Sequence, residues 1–175
     1  MNEPQRSLAA AKSVIGACEA KGFCCTRDEQ GDESCRVMDI NFLDSDDKMT
    51  FALITRPHTR KAREISSSST GVNSVSLLFH DPRAKGENGY VALRGKVRQL
   101  KDPVEKSKCW KSSWSFFHQP QGGSCIYEFE PSRVEVINHS AGVNPSWKPS
   151  TLMRTYSTSA RNIPWKKVET PSIYS

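Results

Sequence analysis

From Phe23 onwards the apolar residues of this chain alternate with polar ones in short runs separated by turn residues. A period of two suits strands and not helices, because successive side chains of a strand point to opposite faces. Phe23–Arg27 predicts one strand and Asp28-Glu29-Gln30-Gly31 a turn. Ser34–Leu43 alternates next, with Cys35, Val37 and Asp39 opposite Arg36, Met38 and Ile40. A second turn over Asp44–Lys48 leads to Met49–Thr55. Strands joined by turns this short must run antiparallel.

Before this meander, Ser7–Ala20 places Leu8, Ala11, Ile15 and Cys18 on one helical stripe, with Ser7 as N-cap and Gly22 as stop. After it, Pro57 ends the third strand and Thr59 caps a short helix over Arg60–Ser66. A polar loop over Ser66–Gly71 precedes a strand at Asn73–His80. A charged turn at Asp81–Asn88 leads to a long strand at Gly89–Leu100, where Gly95 marks a bulge or close backbone approach. Asp102-Pro103 opens a helix to about Phe116. Ser124–Asn138 is the last strand, bent at Pro131. Six strands with a few short helices make a mainly β domain, a small antiparallel barrel or sandwich, over 1–140. Residues 141–175 turn to Ser, Thr, Pro and Asn and carry Trp147 and Trp165; they predict an extended arm, partly ordered by its aromatics.

Composition narrows the function. Hydrophobic residues make up 36% of the 175, a lean core that suits a loop-rich domain or a shared interface. The net charge of +6 suits an anionic partner without choosing one. No run is long and apolar enough for a membrane helix, and Met1–Ala20 lacks the apolar stretch of a secretory signal. The six cysteines (Cys18, Cys24, Cys25, Cys35, Cys109 and Cys125) form no Cys-x-x-Cys pair and no zinc-spaced set. Free, mostly buried thiols in a reducing, cytoplasmic compartment are therefore expected, with no metal.

Four segments carry chemistry. Thr55-Arg56-Pro57-His58-Thr59-Arg60-Lys61 brings a hydroxyl and cations to a helix start, which fits a phosphate or a solvated basic face equally well. Arg36 sits mid-strand, where its charge must meet either water or an anion. Tyr90 and Arg94 share one strand face, as cross-strand pairing would require. Trp110, Trp114 and Phe117 recur at helical spacing, as core, dimer face or an aromatic wall for a planar ligand. No Walker or Rossmann glycine loop and no nucleophile elbow occurs. Basic residues among aromatics leave nucleic acid as a weak alternative, for no stacking platform stands out.

In order and spacing, four pieces resemble the pyridoxamine 5′-phosphate oxidase-like flavoproteins of the FMN-binding split-barrel fold, in particular their general-stress-protein branch. They are FCCTRDEQGDESCRVM at Phe23–Met38, TRPHTRKAREI at Thr55–Ile65, VSLLF with YVALRGKVRQL at Val75–Phe79 and Tyr90–Leu100, and YEFEPSRVEVI at Tyr127–Ile137. The likeness spans Leu8–Asn138. It implies a six-stranded split barrel, a homodimer with FMN at the subunit interface, and an FMN-dependent oxidoreductase of unknown substrate. It implies that Arg36, Val37 and Met38 line the flavin and that Thr55 meets the ring or ribityl chain. It further implies that Thr59, Arg60 and Lys61 hold the phosphate, and that Tyr90 reaches the partner's FMN. Trp114 is an added wall without a motif match. Asn41 stands where the oxidases have a lysine for the substrate phosphate, and Ile137 near their flavin-contacting Trp. Their C-terminal Arg-x-His pair has only Thr151-Leu152-Met153-Arg154 in its place. No catalytic acid or base is assigned. A flavin carrier or sensor without turnover, and a split barrel holding deazaflavin or heme, remain alternatives.

Overall fold

The computed structural model describes residues 1–43, 48–66, 74–81, 89–119, 122–143, 149–154 and 164–168. Most of the turns expected at Asp44–Lys48, Ser66–Gly71 and Asp81–Asn88, and Trp147 of the arm, lie outside these residues. Helix α1 (Glu3–Ala17) precedes strands β1 (Lys21–Arg27), β2 (Glu33–Asp39), β3 (Asn41–Phe42) and β4 (Phe51–Thr55). Helix α2 (Arg60–Ser66) follows, then β5 (Ser74–His80), β6 (Gly89–Gln99) and helix α3 (Pro103–Lys108). A 3-10 helix (Ser112–Phe116) leads to β7 (Cys125–Asn138), β8 (Ser150–Met153) and β9 (Lys166–Val168).

The strands form one antiparallel sheet in the order β2-β1-β5-β6-β7-β4-β3, and β8 and β9 extend it from β7. Because β2 and β3 follow each other in the chain yet lie at opposite ends of that order, the sheet curls into a barrel with an opening between β2 and β4. Leu77, Leu93, Val134, Leu53 and Phe129 fill the inside, and α1 covers one end with Leu8, Ala11, Val14 and Ile15. Gly95 explains the bend of the long strands. Its register shifts against Pro131, and a Cβ there would stand 2.2 Å from the Glu130 carbonyl oxygen.

Several expectations change. Helix α1 starts at Glu3, capped by Asn2, whose side chain accepts from the Gln5 N–H at 3.0 Å while Gln5 returns a bond at 3.1 Å. Ser7 is buried instead and bonds Ser150 at 2.9 Å. The single helix expected after Asp102 breaks at Cys109, so Trp110, Trp114 and Phe117 share no helical face. The barrel has more strands than the six expected, because Ser34–Leu43 divides at Ile40 and the arm contributes β8 and β9. In that arm Arg154 bonds the carbonyls of Pro131 and Lys48, both at 2.9 Å, and stacks on Trp165. The cysteines also differ. Cys25 and Cys35 face each other across β1–β2 and form a disulfide, leaving Cys18, Cys24, Cys109 and Cys125 as thiols.

Candidate functional site

The opening beside β2 is roofed by α2, which lies on β1. On β2, Arg36 and Met38 point inward and Cys35 and Val37 outward, as the period of two requires. Met38 joins the core, whereas Val37 is 66% exposed. Arg36 does meet an anion: Nη2 donates to Glu64 of α2 at 3.0 Å. Glu64 also accepts from Arg60 Nε at 2.5 Å and from the Thr26 hydroxyl. Its side chain is 3% exposed. Burial by itself pushes the Glu64 carboxyl up, but the bonds from Thr26, Arg36 and Arg60 overcome this and hold it below the usual range.

Thr59 builds the entry to α2. Its hydroxyl donates to the Arg56 carbonyl at 2.9 Å and accepts from the Ala62 N–H at 3.2 Å. The buried Thr55 hydroxyl lies 2.8 Å from it. Arg60 is drawn to Glu64 on one side and to Asp28 at 3.6 Å on the other.

Two donors remain over. Arg36 Nη1 is buried with no acceptor among the described residues. Lys61, half-buried, has no carboxylate within ion-pair distance among the described residues. Burial pushes its ammonium down; the Cys24 side raises it, and the adjacent Arg36 charge lowers it further. Three cations (Arg36, Arg60 and Lys61) thus stand against two carboxylates, Glu64 and Asp28. A corner with surplus, partly buried positive charge suits an anion from outside.

The structure therefore brings together Arg36, Thr55, Thr59, Arg60 and Lys61. Val37 and Met38 are next to Arg36 on β2, which pairs only with β1 among the described residues, so its outer edge keeps free backbone groups. Tyr90 lies apart, on the outer face of β6 opposite His80 and Ile137. Burial and the Glu135 charge push its phenol up. Trp114 is a core residue rather than an open wall. It packs with Ala52, Ile54, Leu100 and Ile126, and its indole N–H donates to the Asp39 carbonyl at 3.0 Å. Asn41 donates to the Cys109 carbonyl at 3.0 Å, tying this segment to β3.

Sequence reasoning missed Glu64, Thr26 and His118. Glu64 carried one signal, its place four residues after Arg60 on a predicted helix. His118 bonds Ser124 at 2.9 Å; burial and the charges of Arg56 and Lys61 lower its pKa. Among the described residues no cluster of three or more His, Cys, Asp or Glu could hold a metal, and no helix is long and apolar enough to cross a membrane.

Residues 14–138 match the family model of pyridoxamine 5′-phosphate oxidase. Among solved structures, a Clostridium acetobutylicum protein related to general stress protein 26, of the pyridoxinephosphate oxidase family, is 17% identical. The match covers 85% of this chain and 95% of that one, with TM-score 0.63. A pyridoxamine 5′-phosphate oxidase-related, FMN binding protein from Nostoc punctiforme is 12% identical, with 95% of each chain covered and TM-score 0.54. A heme binding protein from Mycobacterium smegmatis is 11% identical, with TM-score 0.64, covering 87% of this chain and 59% of that one. At these identities the likeness is one of fold. No curated protein matches the chain.

Proposed function

The chain belongs to the pyridoxamine 5′-phosphate oxidase family, and from that premise we propose that it binds FMN at the corner between α2 and β2 and works as a flavin oxidoreductase. The observation that carries the reading is a pair of cationic donors, Arg36 Nη1 and Lys61 Nζ, that meet no acceptor among the described residues at one half-buried corner. A phosphate dianion answers both. Arg36 and Lys61 would each donate to it, Arg60 would add charge from the rim, and the Thr55 and Thr59 hydroxyls would supply further bonds. Glu64 keeps both guanidiniums oriented, so they are placed before the ligand arrives. The free edge of β2 at Val37 and Met38 would lie along the ring, offering backbone N–H and C=O groups. FMN, when bound, supplies two-electron or one-electron transfer through its ring; the protein supplies position and electrostatics.

A homodimer completes the proposal, with Tyr90 reaching the partner's flavin. Val37, Phe23 and Leu78 form an exposed apolar row across β2, β1 and β5, a surface that suits a second copy.

The test is an absorbance spectrum of purified protein followed by FMN titration with fluorescence quenching. A flavin spectrum or stoichiometric FMN binding supports the reading. A Soret band would favour heme, and a colourless protein that binds RNA in a salt-sensitive way but ignores FMN would sink it. Failure of the reduced protein to pass electrons to any acceptor, oxygen included, would leave a carrier or sensor.

A further inference from the structure

A pair of cysteines lies back to back with the anion corner. Cys25 and Cys35 are directly opposed on β1 and β2, with Cα atoms 4.2 Å apart, and are joined as a disulfide. Cys24 and Cys109 differ: both are buried, and burial pushes the Cys24 thiol up to about 11 and the Cys109 thiol upward, against the pull of neighbouring cations. Thiolate chemistry is suppressed there. Cys35 is exposed and Cys25 half-buried, on a rung between Phe23–Val37 and the surface ion pair of Arg27 and Glu33 at the hairpin tip. Cys35 lies on the hairpin-tip side of the apolar row, beside the exposed Arg27–Glu33 pair, and it is from this tip, beyond the proposed dimer surface, that a dithiol in solution reaches it.

Alternation along the strands supplies the link to the site. Thr26 and Arg36, the next residues after Cys25 and Cys35, point to the opposite face and both donate to Glu64. Strand β2 ends the sheet, so the disulfide is the cross-link that pins the Arg36-bearing strand to its neighbour.

We propose that Cys25–Cys35 is a reversible redox switch on the anion corner. Oxidised, it clamps β2 to β1 and presets Arg36; reduced, it lets the edge strand loosen and weakens the hold on phosphate. The redox change stands on the hairpin alone, while its effect on FMN rests on the function proposed above. In reduction, a thiolate of a dithiol attacks Cys35 Sγ, the S–S bond breaks, and Cys25 leaves as a thiolate that takes a proton. The second thiol of the reductant then displaces Cys35. The pair gains two electrons and two protons, and the reductant becomes a disulfide. In reoxidation, hydrogen peroxide turns one thiol into a sulfenic acid with release of water. The other thiol condenses with it and a second water leaves.

The experiment compares the oxidised full chain, the same chain after dithiothreitol, and a Cys25→Ser/Cys35→Ser variant. Alkylation with peptide mapping follows the bond, limited trypsin follows β2 through cleavage after Arg36, and titration follows FMN. The linked peptide should appear in the oxidised chain, vanish with dithiothreitol and return with peroxide. The reduced chain and the variant should be cut faster after Arg36 and bind FMN about five-fold more weakly, with dithiothreitol leaving the variant unchanged. Cysteines that peroxide does not join, or equal cleavage after Arg36 in both states, overturn the switch. If cleavage differs but FMN binds alike, the coupling to the site is wrong. If no form binds FMN, the flavin function fails, and cleavage still decides the switch.

Discussion

Replacing both Arg60 and Lys61 with Ala should weaken FMN binding at least about tenfold, since two charge-assisted bonds to phosphate are lost. Riboflavin, which lacks the phosphate, should bind the variant as it binds the parent; a parallel loss of both ligands would locate the damage elsewhere. Glu64 makes a second prediction. Glu64→Gln removes the charge that Arg36 and Arg60 share, at a cost of about 2 kcal/mol in urea unfolding at neutral pH. Because the folded pKa of Glu64 lies below its unfolded value, its contribution is complete above the unfolded value and fades as pH falls through the folded one. The stability gap between parent and Glu64→Gln should therefore begin to narrow below about pH 4 and go on narrowing with further acidification; a gap that stays constant as pH falls would show that charge is not what Glu64 supplies. Arg60 and Lys61 are legible in sequence because they are adjacent to their cap. Glu64 is not, since its partners Thr26 and Arg36 lie 38 and 28 residues before it.

Elements that depend on local backbone chemistry match the sequence closely. Arg60–Ser66 is the helix its cap and spacing predict, and Gly95 does mark a bulge. Gly95→Ala should cost about 2–3 kcal/mol, because the new methyl meets the Glu130 carbonyl oxygen and the β6–β7 ladder must part. Chemical unfolding measures it, and an unchanged midpoint would mean that the bulge absorbs the methyl. The aromatic segment after Asp102 differs because its periodicity has two solutions. Lys111 and Ser113 bond the Asp39 carboxylate and Trp114 its carbonyl, so contacts with β2 set the chain here instead of continued helix. Asp39 lies more than 70 residues away from all three, beyond what any local pattern conveys.

At the scale of the molecule, the exposed row of Val37, Phe23 and Leu78 predicts association. Sedimentation should find a dimer, and Val37→Asp should shift it toward monomer and weaken FMN binding with it. A parent chain that sediments as a monomer would remove the shared-site proposal. The arm shows why assembly exceeds pattern: β8 and β9 are short and without a clear alternation, and their place depends on the pairing of β8 with β7 and on Arg154 reaching back to Pro131 and Lys48. By itself the sequence determined the six long strands, their antiparallel order of turns and the cationic motif, because side-chain alternation, turn chemistry and capping act between residues a few positions apart. The tertiary structure alone decided the Glu64 hub, the facing of Cys25 and Cys35, the burial of Trp114 and the pairing of the arm. Each of these is a contact that exists only once distant segments have been brought to one place, and the energy that selects it comes from that contact.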